Sequence, residues 1–315
     1  MSPPIKVRAS APGRFGIVGN PSDIYGGVVV SAAIGARNVV ELTLGGVDRL
    51  PEDPTLWRAA TVRYPLEGVA VNWNTTVPRS SGLAGSTALL AATLLGVLTL
   101  RGEAPDLGNV ESISRFAELV RDLESEEAGV ICGYQDAQIV VHGGVQRMDF
   151  RGKHPTHGGP LPELTELNPS TMPFLLITTG VQRLSGSVHG PIRERWLQGD
   201  PDVIRATDRI ADLGREGADA FIREDWVTLG QAMTENHALV RDLGGSGDSI
   251  DQLVARCLTH GARSAKLAGA GLGGTVVALT DDPVALRTAL TADGYTQFPP
   301  VATVPEPGLR GEVLL

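Results

Sequence analysis

Between Leu83 and Leu100 the chain runs 18 residues without a charge, led in by a polar, glycine-rich stretch that reads PRSSGLAGSTA. That is about the shortest length that can cross a bilayer, so this one segment must be either a lipid-facing helix or the core of a folded domain. The flanks favour the core. Gly82, Gly85, Ser86 and Thr87 crowd the start, Gly96 interrupts the run, no aromatic or basic belt brackets it, and no second span is evident. A Gly/Ser loop entering a helix also aims unpaired N–H groups and the positive end of the helix dipole at one point, where an anion can be held. The expectation is a buried helix whose N-terminus is the working end.

With 315 residues, 42% of them hydrophobic, the chain can fill roughly two domains of about 150 residues, or one large α/β domain. The net charge of −9 argues against a nucleic-acid surface, though a small anionic substrate could still be held by local Arg, Lys and backbone N–H groups. Cys132 and Cys257 are too few for a disulfide framework or a cysteine zinc site. The opening MSPPIKVRASAPGR lacks the apolar core of a signal peptide, so a cytoplasmic protein with no membrane partner is expected.

Along the chain, IKVRASAPGRFGIVG reads as a strand, a turn at Pro12-Gly13 and a second apolar run. GGVVVSAAIGARNVVELTL and VAVNWNTTVP read as strands, and GGVDRLPEDP as turns between them. Ile113, Phe116, Val120 and Leu123 mark an amphipathic helix over 111–126, and AQIVVHGGVQRMDF looks like a strand pair around Gly143-Gly144. The Pro- and Gly-dense stretch 151–173 places a domain junction, giving domains of 1–170 and 171–315. Beyond it come a strand at FLLITTG, helical patterns near 191–197, 201–222, 226–241 and 249–260, a strand at GGTVVALT and a short helix near 283–292.

Three glycine-rich stations stand out: APGRFGIVGNPSD at 11–23, PRSSGLAGSTA at 78–88 and KLAGAGLGG at 266–274. Each offers small-residue backbone that an anion can approach closely, although any one of them could simply permit a turn. The third matches G-x-G-x-x-G at Gly269, Gly271 and Gly274, but a dinucleotide site needs a strand before that pattern and a helix after it. Here a helix is expected before and a strand after. A Walker P-loop and a protein-kinase H-R-D loop are both absent. His154 and His157 have no third metal ligand near them, and SGSVHG lacks the strained elbow of a nucleophilic serine.

In this order and spacing the three stations resemble the GHMP kinases, named for galactokinase, homoserine kinase, mevalonate kinase and phosphomevalonate kinase. The family's P-x-x-x-G-L-x-S-S-A appears as Pro78 followed by Gly82-Leu83-Ala84-Gly85-Ser86-Thr87, with Gly85 for the first serine and Thr87 for the alanine. The resemblance implies an α+β fold of two domains, the first like domain 2 of ribosomal protein S5 and the second ferredoxin-like. It also implies ATP and Mg²⁺ as cofactors, held along Gly82–Thr87 and at Gly269, Gly271 and Gly273.

Phosphoryl transfer needs a clamp on the phosphates, a cation to offset charge, and a residue to orient or deprotonate the attacking hydroxyl. LESEEAGVICGYQDAQ resembles the galactokinase stretch in which a helical glutamate precedes the catalytic aspartate by 12 positions. Carried over, Glu124 takes the Mg²⁺ role with Ser86, and Asp136 the catalytic role. Glu126 and Glu127 remain alternatives for the metal, and all three could be a solvated helix face. Arg14 corresponds to the family's basic partner of the catalytic aspartate, placed to steady developing negative charge.

For the acceptor, Asp23 stands four residues past Gly19, where galactokinase places a carboxylate for sugar hydroxyls. Asn20-Pro21 departs from galactokinase, and GNPSD with GLAGS and SGSVHGPIRERW looks most like the glucuronokinases. That likeness implies phosphorylation of a uronic acid at its anomeric hydroxyl, with Asp23, Asn20, Arg183 and His189 at the substrate and Arg79 a further candidate for its carboxylate. The alternatives are a galactose, heptose or mevalonate kinase, or a catalytically silent sugar- or nucleotide-binding regulator on the same fold.

Overall fold

The computed structural model describes residues 5–45, 49–78, 80–130, 132–156, 158–181, 186–269, 271, 273–302 and 305–314, with residues 186–189 as backbone only. Arg79, His157 and Arg183 lie outside the described residues, as does the side chain of His189.

In chain order the elements are β1 (Ile5–Val18), β2 (Val28–Leu44), α1 (Thr55–Val62), β3 (Val69–Thr75), α2 (Gly85–Arg101), α3 (Val110–Asp122) and α4 (Gln135–His142). Then follow β4 (Val145–Asp149), β5 (Glu163–Leu167), β6 (Phe174–Thr178), α5 (Gly186–Leu197), α6 (Pro201–Ile222), α7 (Trp226–Asp242) and α8 (Asp248–Thr259). The chain closes with β7 (Ser264–Leu267), β8 (Thr275–Leu279), α9 (Pro283–Ala292) and β9 (Arg310–Leu314). Six strands form one antiparallel sheet in the order β5-β4-β2-β1-β9, with β3 also on β2; β6-β8-β7 form a second, three-stranded sheet.

The uncharged run is α2, buried from Thr87 to Leu98. It lies on β1 and β2 and is walled by α1, α3 and α4, so its whole circumference meets apolar side chains rather than lipid. Among the described residues no helix is long and apolar enough to cross a membrane. A second cluster joins the far ends of β1 and β2, through Phe15, Ile17, Val30 and Ile34, to Phe221 and Met233 on α6 and α7 and to Leu176 and Val277 of the small sheet. The two sheets are thereby tied through shared packing.

Four local readings need correction. The chain does not turn at Pro12-Gly13: β1 runs through, with a register shift against β2 between Pro12 and Arg14. A bulge of this kind re-aims the next side chain, here Arg14. Gln135–His142 is helical, not the first strand of a pair. Its residues 137–141 are all buried, which erases the helical period, and its start is capped from a distant part of the chain. A strand, β7, and not a helix precedes the third glycine station, though β8 follows it, so the dinucleotide pattern still fails on what comes after. Finally, β5 forms inside the Pro- and Gly-dense stretch.

Candidate active site

The three glycine stations converge. The Arg14 N–H donates to the carbonyl of Leu83 (3.0 Å) and the Gly16 N–H to that of Ala268 (2.8 Å). Stations two and three touch backbone to backbone. A Cβ on Gly269 would stand 2.3 Å from the Gly82 carbonyl oxygen, and one on Gly274 would stand 2.5 Å from that of Ser81. Only glycine allows that approach.

Arg14 is the pin through this junction. Its side chain is 4% exposed. Nε and Nη2 each donate to one carboxylate oxygen of Asp136 at 2.8 Å, while Nη1 reaches the carbonyls of Gly82 (2.5 Å) and Ala268 (3.4 Å). The fork-on-fork pairing fixes the Asp136 carboxylate in one orientation. Each of its oxygens keeps a lone pair for another donor. Asp136 is the second residue of α4, not part of a turn before a strand.

Beside this pair α2 is preceded by Ala84, a left-handed N-cap residue whose side chain offers no acceptor, so the first N–H groups of the helix are not capped by it. Ser86 Oγ donates to Glu124 Oε1 and Thr87 Oγ1 to Oε2, both at 2.7 Å. The threonine that departs from the family pattern thus gives Glu124 a second hydroxyl. Glu124 sits in a π-helical turn, Leu123–Glu127, that extends α3. Burial raises its pKa, and the two hydroxyls only partly offset this. Glu126 and Glu127 turn instead to Arg63, at 2.5 and 3.3 Å. The three acids are therefore separated by their partners, and Glu124 alone of them faces Ser86.

Asp23 lies at the base of the same cluster, 1% exposed. Its Oδ2 accepts the N–H groups of Tyr134 (2.7 Å) and Gln135 (3.0 Å) at the start of α4, and Gln135 Nε2 approaches Oδ1 at 3.4 Å. It is a helix cap supplied from 111 residues away. Burial pushes its pKa up to about 6, with the Asp136 charge adding to the rise and the two backbone N–H groups and Arg14 opposing it. A carboxylate harder to ionise folded than unfolded subtracts stability as pH rises from its unfolded value near 3.8, the loss being complete above about 6. Asp23→Asn is therefore expected to gain about 2–3 kcal/mol relative to the parent between about pH 4 and pH 7.5. Urea unfolding of both chains at the two pH values checks this; a difference that does not move with pH would show that Asp23 titrates normally.

Asn20 is held from behind. The ammonium of Lys266, fully buried, donates to Asn20 Oδ1 (2.7 Å) and to the Leu267 carbonyl (2.8 Å), while Asn236 Nδ2 donates to the Asn20 carbonyl (3.0 Å). Burial, and next the charge of Arg14, lower the Lys266 pKa to about 7. Lys266 gives no signal of this in the sequence, where the third station stands out only for its glycines. The sequence is equally silent on an aromatic group beside Asp23, where Trp196 lies 5.3 Å from Tyr25 and 5.2 Å from His154, ring centre to ring centre. Of the expected nucleotide contacts, Gly271 and Gly273 lie in the described part of the third station, each with positive φ.

Comparisons with known proteins bear on this arrangement. The family models described as GHMP kinases N terminal domain and GHMP kinases C terminal match residues 55–144 and 218–295. Glucuronokinase 1 of Arabidopsis thaliana is 28% identical, over 86% of this chain and 84% of its own length. Mevalonate kinase of Aeropyrum pernix is 30% identical, over 86% of this chain and 88% of its own. Among solved structures, Lactococcus lactis galactokinase complexed with galactose superposes with a TM-score of 0.76 at 17% identity, covering 97% of this chain and 95% of that one, a likeness of fold.

Proposed function

The chain belongs to the GHMP kinase family, whose members are phosphotransferases that use ATP to phosphorylate hydroxyl groups, and we propose that its acceptor is a uronic acid phosphorylated at the anomeric hydroxyl. The observation that carries the kinase assignment to particular residues is the Arg14–Asp136 pair set against the Ser86–Glu124 contact at the open end of α2. The 28% identity to glucuronokinases supports the uronic acid, and the carboxylate of Asp23 suits the hydroxyls of a sugar; the 30% identity to a mevalonate kinase favours mevalonate as the second reading.

In this reading the triphosphate lies across the N-terminus of α2, where backbone N–H groups of Gly85, Ser86 and Thr87 meet it with the helix dipole. Asp136 accepts a hydrogen bond from the attacking hydroxyl and takes its proton as the phosphoryl group departs from ADP. Arg14 holds the carboxylate in place, and its own position depends on the Gly82 carbonyl in the loop that faces the phosphates. Asp23 Oδ1 and Asn20 orient the sugar.

The residues present suit Mg²⁺. Glu124 is a buried carboxylate that no ion pair reaches among the described residues, and its partners are all oxygens, the donors a hard cation prefers. Ser86 and Glu124 would hold the ion, which when bound offsets the charge on the β- and γ-phosphates.

Mg²⁺-dependent ADP release from the purified protein, run in parallel with glucuronate, galacturonate, galactose, a heptose 7-phosphate and mevalonate, tests the proposal. Turnover highest with a uronic acid is expected. Turnover with mevalonate or a neutral sugar alone would discard the acceptor and keep the chemistry. ATP binding without turnover of any acceptor would favour a silent regulator.

A further inference from the structure

A cavity of about 900 Å³ opens beside the site, with Ile24, Cys132, Arg121, Arg193 and Pro155 in its wall. Ile24 follows Asp23 directly. The Cys132 thiol feels the charges of Glu124, Arg121, Asp136 and Asp23, and the Tyr25 hydroxyl those of Asp23 and Arg193. Cavity wall and site acids therefore share one electrostatic neighbourhood.

The charges in this wall are not all matched. Glu118 holds Lys153, Glu126 holds Arg63, and Arg115 is paired with Glu111. Arg193, half-buried on α5, is different. Its Nε and Nη2 both donate to the Pro155 carbonyl, at 3.1 and 2.9 Å, and no carboxylate comes within ion-pair reach among the described residues. A guanidinium fixed by a neutral carbonyl keeps its full charge and has further N–H groups to give. Arg121 lines the same cavity, with its guanidinium 4.5 Å from the Tyr134 ring centre and Nη1 3.3 Å from Asp122. Its Nε is buried and has no hydrogen-bond partner among the described residues.

We propose that Arg193, with Arg121 in the wall of the same cavity, binds the acidic group of the sugar acceptor, a carboxylate held by the guanidinium fork of Arg193. The inference rests on the uronic-acid reading above and moves its charge recognition away from Arg79, Arg183 and His189. A planar carboxylate takes two parallel N–H bonds from such a fork, which a lysine cannot supply. A phosphate makes the same contacts, so the test separates the two.

The experiment compares kcat/KM of the full chain for glucuronate, glucose and glucose 6-phosphate, which share a ring and differ at one carbon. Arg193→Met is expected to lower the glucuronate-to-glucose ratio by about 10- to 150-fold, mostly through KM for glucuronate, with KM for ATP unchanged. Arg121→Met should lower it less, because Asp122 already engages that side chain. If Arg193→Met does not fold, Arg193→Lys carries the test: it keeps the charge, loses the fork and should still lower the ratio severalfold. A parent enzyme that uses glucuronate, with a ratio unmoved by either Arg193 variant, would overturn the inference and leave the uronic-acid reading standing. A parent that prefers glucose would overturn both. A preference for glucose 6-phosphate that Arg193→Met abolishes would overturn the carboxylate assignment.

Discussion

Asp136→Asn is expected to lower kcat by about 10²- to 10⁴-fold, the usual worth of a general base, with KM for ATP little changed. The amide oxygen can still accept from Arg14 Nε, so the junction of the three stations stays assembled, but the group can no longer take a proton. Asp136→Ala separates the two roles. It leaves the 4%-exposed Arg14 with main-chain carbonyls alone, and should add a stability loss of about 1–3 kcal/mol to the same kinetic defect. Steady-state rates and thermal unfolding of both variants check this. An Asn variant within tenfold of the parent rate would remove Asp136 from the chemistry.

Gly269→Ala is the second change expected to act strongly, and it adds a single methyl group. The new Cβ would stand 2.3 Å from the Gly82 carbonyl oxygen and 3.0 Å from that residue's carbonyl carbon and Cα, all backbone. The two stations must separate. Overpacking of this kind costs about 1–3 kcal/mol, and a shift of about 1 Å in a positioning element costs roughly 10²-fold in rate. Because the Gly82 carbonyl also receives Arg14, the displacement should reach Asp136 without touching it. A lowered melting temperature together with a rate loss of that order is expected. A fully active variant would show that the loop absorbs the methyl group elsewhere.

The glycine stations and the apolar helix are legible because they are local, whereas the pairings across the site, 122 and 38 positions apart, are legible only through the resemblance to a known family. The glycine stations, the apolar helix behind the second of them, and the pairings of Arg14 with Asp136 and Ser86 with Glu124 were all expected and are all in contact. What escaped has non-local causes. The helix carrying Asp136 starts at Gln135, after Tyr134, which offers no capping side chain; the cap is Asp23, a residue far upstream, so no neighbouring residue announces the start. Ile139, Val140 and Val141 then read as a strand because every face of that helix is covered. β5 alternates only weakly and is largely exposed, so it carries little hydrophobic signal. β7 is four buried residues, too short to show a period, and the burial of Lys266 inside it follows from packing that no pattern in its own segment records. Arg193 is one arginine among many until it is seen that, among the described residues, no carboxylate comes within ion-pair reach of it.

Arg14 reaches partners 68, 122 and 254 positions away along the chain. Three loops of very different length must therefore close before its guanidinium is fully engaged. Closure entropy grows only slowly with loop length, so the number of closures matters more than the size of the largest. The site comes into being only when both sheets and the helices α2 and α4 have found one another. Regain of activity after dilution from denaturant would then serve as a clock for the completion of tertiary structure. Far-ultraviolet circular dichroism, which responds to helices whether or not they have docked, would run ahead of it.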